Sequence, residues 1–286
     1  MFATIGRSWR LFKLCLHVLS VDKELIFFPI FSTIGVIIVT LTFFGVTFGI
    51  GSFERLETGA FNALDLVAVF GFYVVSYFIV IFFNAALVFA AHERLEGGDP
   101  NIRSGLAGAS SRIITIFFWA VIAAIVGLIL QILSSQARER GGIMGIIGQI
   151  VVSLLGAAWS LVTFFVVPLI VIEHRGLADS FRTSLSLLRR TWGEQIVGNF
   201  GLGLIQFGAT LLAILVAVVL GFVLSLLGTA GIVLAVVIGI VLVVGVSLVF
   251  ATLSGIYKAA LYNYAADGQV PELFTDDVIR GAFRPR

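Results

Sequence analysis

Residues 173–199 read EHRGLADSFRTSLSLLRRTWGEQIVGN, the longest polar interruption in the second half of a very apolar chain. Leu177, Phe181, Leu185, Leu188 and Trp192 recur at spacings of four, four, three and four, so one helical face collects them. Asp179, Arg182, Ser186, Arg189 and Arg190 occupy the rest. This is the pattern of a basic amphipathic helix lying on a membrane surface, with its apolar side towards hydrocarbon and its cations towards anionic headgroups. After Glu194 no charge appears until Lys258, so the helix feeds directly into a transmembrane segment.

Working outward, the composition agrees. Hydrophobic residues make up 59% of the chain and charged residues 12%, against about 25% charged in an ordinary soluble domain. The mean hydropathy is +1.12. Uncharged runs at 25–53, 66–91, 113–137, 141–172 and 195–257 each exceed the roughly 20 residues that cross a bilayer as a helix. The last accommodates two spans and the turn 227–231. The expected fold is therefore an all-α integral membrane protein with six transmembrane helices, near 25–51, 66–91, 112–133, 143–172, 194–226 and 232–262. Pro168 is expected to kink the last turn of the fourth span. The first apolar run is too long for a cleavable leader.

Two further stretches repeat the opening arrangement. Ile5, Trp9, Phe12, Leu16 and Leu19 share a face, with Arg7, Arg10, Lys13 and His17 beside it. Ile102, Leu106, Ala109, Ile113 and Ile116 do the same, with Arg103 and Arg112 off that face, in a short helix expected to merge into the third span. Three interfacial amphipathic helices result, each followed by a span, a short turn and a second span. The pattern is consistent with a three-fold repeat of units 1–96, 97–174 and 175–265, followed by a polar tail at 266–286. Any six-span protein with positive loops looks partly like this, so duplication and coincidence stand level.

All of the 18 lysines and arginines except Arg55, Arg138 and Arg140 fall on the side of the termini. The positive-inside rule then puts both termini in the cytoplasm of a prokaryotic cytoplasmic (inner) membrane, with anionic membrane lipid as the expected partner. Arg7, Arg10, Lys13, Arg182, Arg189 and Arg190 are the candidate lipid-contacting residues. A homo-oligomer or another membrane protein is also compatible. The basic face lacks the interleaved aromatics of a nucleic-acid surface.

The phrase VPLIVIEHRGLADSFRTSLSLLRRTW at 167–192 resembles the membrane domain fused to some bacterial glycerophosphodiester phosphodiesterases, where a span ending V-P-x-x-V-x-E precedes a helix of the form A-x-x-x-S-x-x-L-x-R-x-x-W. GRSWRLFK and DKELIFFPIFS near the start, with ALYNYAADGQVPELF near the end, are similar to an uncharacterised prokaryotic family of six-span proteins. The resemblance implies topology and no activity, because the membrane domain is not the catalytic part of the fused proteins.

No catalytic motif survives inspection. His92 and His174 each adjoin an acid, Glu93 and Glu173, but Glu96 stands where a zinc-protease spacing needs a second histidine; capping and ion pairing explain these residues better. The spans carry no acid or base at depth, which counts against a proton-coupled carrier. The single cysteine, Cys15, permits no intrachain disulfide and reads as a small apolar filler. No catalytic residue, cofactor or metal ligand is assigned. The expected protein is a non-enzymatic scaffold or regulator at the membrane. The alternative is a transporter or lipid-handling protein with a polar cavity at Gln195, Asn199 and Gln206 on the fifth span, where interhelical hydrogen bonding is the plainer role for these amides.

Overall fold

The computed structural model describes residues 2–49, 55, 62–226 and 228–267, and of residues 2–8, 190–200 and 267 the backbone alone. The described elements are all helical: α1 (Phe2–Val21), a 3-10 turn (Lys23–Ile26), α2 (Phe27–Gly49), α3 (Ala63–Leu95), α4 (Ile102–Ser110), α5 (Ile113–Glu139), α6 (Gly142–Val162), α7 (Val166–Val171), α8 (Leu177–Ser225) and α9 (Thr229–Asp267). Six segments are long and apolar enough to cross a membrane: Lys23–Gly49, Ala63–Leu95, Ile113–Glu139, Gly142–Val171, Gly201–Ser225 and Thr229–Ala266. The expected loop acids Glu54 and Glu57, most of the turn at 52–61 and the tail beyond 267 lie outside the described residues.

The chain divides into two compact units, residues 1–29, 90–102 and 191–286, and residues 30–89 and 103–190. The second contains two antiparallel hairpins. In the first of these, Phe31 meets Phe83 at 5.9 Å and Phe43 meets Phe72 at 4.6 Å between ring centroids. Gly35 lets the helices close: a Cβ there would sit 2.9 Å from Ile79 Cγ2, a distance that glycine alone tolerates. The hairpin's tip is tied by a capping box. The Asn62 side chain accepts from Asp65 N–H at 2.9 Å, and the Asp65 carboxylate accepts from Asn62 N–H at 3.1 Å. Arg55 donates Nε and Nη2 to the same carboxylate, both at 3.1 Å.

In the second hairpin α5 and α6 cross where Gly145 and Gly148 face Ala137. Gln149 Nε2 donates to Ser134 O at 2.6 Å, an interhelical bond of the kind expected for an amide among apolar neighbours. In the other unit α8 and α9 form the third hairpin through Gly239 against Ala217 and Gly221 against Ala235. The same unit seats α1 on α9, with Phe12 stacked on Phe250 at 5.7 Å.

Two local expectations change and a third holds. The helix at 102 does not merge into the third span: α4 ends at Ser110, and Ser111–Arg112 form a turn in which Ser111 Oγ donates to Gly108 O at 2.7 Å. The fourth span is interrupted rather than kinked. It breaks at Thr163–Phe165, because Pro168 has no N–H for the Phe164 carbonyl and its ring crowds that carbonyl; the helix resumes as α7. The opening stretch does run unbroken into its span, since α8 is one helix of 49 residues, roughly 74 Å long at 1.5 Å per residue.

The interruption is repaired from α8. Ser184 Oγ donates to Val162 O at 2.6 Å and accepts from Phe165 N–H at 3.3 Å, satisfying the two backbone groups that the break exposes. Ser184 is fully buried, as are Phe165, Val166, Leu169, Ile170 and Val171.

Candidate functional site

The three surface helices share one construction. In α1 the buried side chains are Leu11, Cys15, Val18 and Leu19, with Asp22 just after its end. In α4 they are Gly105, Gly108 and Ala109, and in the first half of α8 they are Ser180, Ser184, Leu187 and Leu188. The α4 seam is made of small residues, the α8 seam pairs two serines with two leucines and the α1 seam sets Cys15 among Leu11, Val18 and Leu19; each lies roughly 80° around the helix, on the same flank, from the centre of the expected apolar face. Small residues permit close seating: at Gly108 any Cβ would overlap the Phe89 ring. Burial of Cys15 pushes its thiol up to about 12, so it remains a neutral packing group.

Seating on this flank leaves part of the apolar face uncovered. Trp9 is 47% and Leu16 39% exposed; Phe12, Leu106, Phe181 and Leu185 are partly exposed, and Leu19, Ala109 and Leu188 are buried. The expected faces are therefore corrected: each is split between protein and surroundings. The cations follow on the far side. Arg10, Lys13, Arg103, Arg182 and Arg189 are exposed, and Lys13 Nζ lies 5.9 Å from the centroid of the Trp9 ring, within cation–π range. The order around each helix is buried seam, bulky apolar arc, cation. The side chains of Arg7, Arg190, Gln195 and Asn199 lie outside the described set, so their expected contacts are not placed. Gln206 is partly buried in α8.

Two polar clusters occur where the helices end; sequence spacing did not reveal the first, whereas ion pairing at the second, around Arg175, was expected. In one unit, Arg94 grips Asp22 with two parallel hydrogen bonds from Nε and Nη2, and Nη2 also donates to Asp99 Oδ1 at 2.8 Å. Glu24 Oε2 accepts from Ile102 N–H at 3.0 Å. His92 Nδ1 lies 2.8 Å from Asn263 Oδ1, and its Nε2 lies 3.4 Å from Glu96. These bonds join the entry to the first span with the ends of α3 and α9. Both helices reach this level because they continue past their uncharged runs, α3 to Leu95 and α9 to Asp267. Asp22 is only 7% exposed. The signal available in the sequence was a charge doublet, Asp22–Lys23, at the mouth of an apolar run.

In the other unit, Arg175 bonds Glu173, Asp179 Oδ2 at 3.1 Å and Thr183 Oγ1 at 3.1 Å. Glu173, and then Asp179, raise the Arg175 guanidinium above its already high ordinary value, so it stays charged. His174 has φ +56°, a left-handed backbone that closes α7 as a helix C-terminus commonly does. His92, Glu173 and His174 are thus used for pairing and chain reversal, whereas Glu93 Oε2 is buried without a hydrogen-bond partner among the described residues. Among the described residues no three histidine, cysteine, aspartate or glutamate side chains are grouped to hold a metal ion.

No curated protein matches the chain. A family model does, over residues 63–272, from the start of α3 to beyond the end of α9. That match covers most of the chain, which carries six membrane-compatible helices: the chain belongs to the family of unknown function DUF6159.

Proposed function

We propose that this protein is a non-enzymatic scaffold or regulator of a prokaryotic cytoplasmic membrane, with both termini cytoplasmic, that holds anionic lipid along its three surface helices. The observation that carries the reading is the side-by-side exposure of Trp9 and Leu16 with Arg10 and Lys13 on a helix whose opposite flank is anchored by Leu11, Cys15 and Val18. Exposed apolar side chains beside a strip of cations, on a body with six membrane-compatible helices, match the boundary between hydrocarbon and headgroups. The shared order of seam, apolar arc and cation in α1, α4 and α8 supports three repeated units at 1–96, 97–174 and 175–265. The likeness of 167–192 to the membrane domain of glycerophosphodiester phosphodiesterases rests on those residues alone and brings no activity with it.

The test is partition of a peptide covering residues 176–193 onto vesicles of phosphatidylglycerol and phosphatidylcholine. Each cation near an anionic surface contributes about 1 kcal/mol. Replacing Arg182, Arg189 and Arg190 with glutamine therefore weakens binding about a hundredfold and removes the preference for phosphatidylglycerol. Binding indifferent to the three substitutions sinks the lipid reading.

A further inference from the structure

A second lipid site is indicated at the opposite ends of the spans from the surface helices. Beside the turn between α5 and α6 lies an open hollow of about 750 Å³. Arg138 stands at its mouth, Gly141, Gly142 and Gly145 leave its upper end without side chains, and Ile146 and Ile150 wall its length. Gly141 and Gly142 have φ of +59° and +54°, so the residues that open the mouth are also those whose backbone favours glycine. The hollow continues to Ala157. From Gly142 to Ala157 the helix rises roughly 22 Å, which starts at the polar boundary and exceeds the ~15 Å of hydrocarbon in one leaflet.

Charge distinguishes this hollow from one between α8 and α9. The hollow between α8 and α9, of about 640 Å³, is lined entirely by aliphatic residues and glycine and offers nothing to a headgroup. At the α5–α6 hollow the polar wall group Gln149 is bonded to Ser134, so it makes no demand on an occupant. Arg138 is exposed, and its guanidinium has no hydrogen bond or ion pair among the described residues. Arg55, also at a turn of the same unit, is committed to Asp65.

We propose that this hollow binds one anionic glycerophospholipid, its phosphate on Arg138 and an acyl chain along Ile146 and Ile150. The shape is an apolar trough one leaflet deep with a single unpaired cation at its rim, which is complementary to a lipid and not to a free anion. The site goes beyond the surface-helix reading and does not depend on it.

The test uses the full-length protein in detergent, in a background with Arg7, Arg10, Lys13, Arg103, Arg182, Arg189 and Arg190 replaced by glutamine, so that lipid held by the surface helices is not counted. Palmitoyl-oleoyl phosphatidylglycerol or the matching phosphatidylcholine is titrated in, and retained lipid is read by native mass spectrometry. The expected result is one preferentially retained phosphatidylglycerol. Arg138→Gln weakens it about tenfold, as loss of a charge-assisted phosphate contact does. Ser153→Trp, an exposed position that fills the trough, also removes it, while Val236→Trp in the aliphatic hollow has no effect. Equal retention of the two lipids overturns the proposal. So does unchanged binding in both Arg138→Gln and Ser153→Trp. Loss of a dimer in Ser153→Trp without loss of lipid overturns it in favour of a second copy of the chain.

Discussion

Arg94→Ala lowers the stability of the full-length protein by about 3 kcal/mol, the cost of leaving a buried charge without its partner. Asp22 is 7% exposed and is held by both forks of the guanidinium. Removing Arg94 strands that carboxylate and releases Asp99 as well. Arg94→Lys keeps the charge but loses the planar fork, so it recovers part of the loss. The pairing is isolated by adding Asp22→Asn to Arg94→Gln: the double variant is more stable than Arg94→Gln alone, because no unpaired charge remains. Unfolding midpoints in a fixed detergent measure all four. An Arg94→Ala protein that unfolds with the wild type would mean that the Asp22–Arg94 pair does not hold the helix ends together.

Ser184→Ala is expected to cost about 2 kcal/mol, although it removes a single oxygen. That oxygen serves both the Val162 carbonyl and the Phe165 N–H, in a segment surrounded by buried Phe165, Val166 and Leu169. An unpaired backbone group in an apolar region carries its full desolvation penalty. The dependence on Pro168 is the sharper part. In a Pro168→Ala background the fourth span regains a donor for the Phe164 carbonyl and can close its own ladder, so Ser184→Ala then costs less. Amide exchange across residues 159–169 reports the same coupling: Ser184→Ala speeds it with Pro168 present and changes it little without. Additive effects of the two substitutions would contradict the repair role.

The spans were legible because a charge-free run longer than a bilayer crossing is a strong, local signal, and each of the six apolar segments is helical, the fourth with a break at Thr163–Phe165. The seating of the surface helices was not legible to the same degree. Periodicity weighs bulky residues, so it found Trp9, Phe12 and Leu16, whereas the faces that seat also include Cys15, Gly105, Gly108, Ser180 and Ser184, which score weakly or as polar. The repeat at 102–116 carried its period straight across the Ser111–Arg112 turn, where α4 ends and α5 begins. The polar cluster at Arg94 and His92 was hidden for another reason. Arg94 and Asp22 are 72 positions apart, and His92 and Asn263 are 171 apart; no spacing rule connects residues at such separations. His92 was noticed for its neighbour Glu93, while its contacts are with Asn263 and Glu96.

The central claim is that the three amphipathic helices lie at one face of the membrane and the short turns at the other. It is tested by sided labelling in Cys15→Ala protein carrying one new cysteine at a time, at Arg103, Arg182 or Arg140, each exposed. A membrane-impermeant maleimide is applied to right-side-out and inside-out vesicles. The account predicts that Arg103→Cys and Arg182→Cys react only in inside-out vesicles and Arg140→Cys only in right-side-out ones. Reaction of Arg103→Cys and Arg182→Cys from opposite sides, or of Arg182→Cys and Arg140→Cys from the same side, would contradict it.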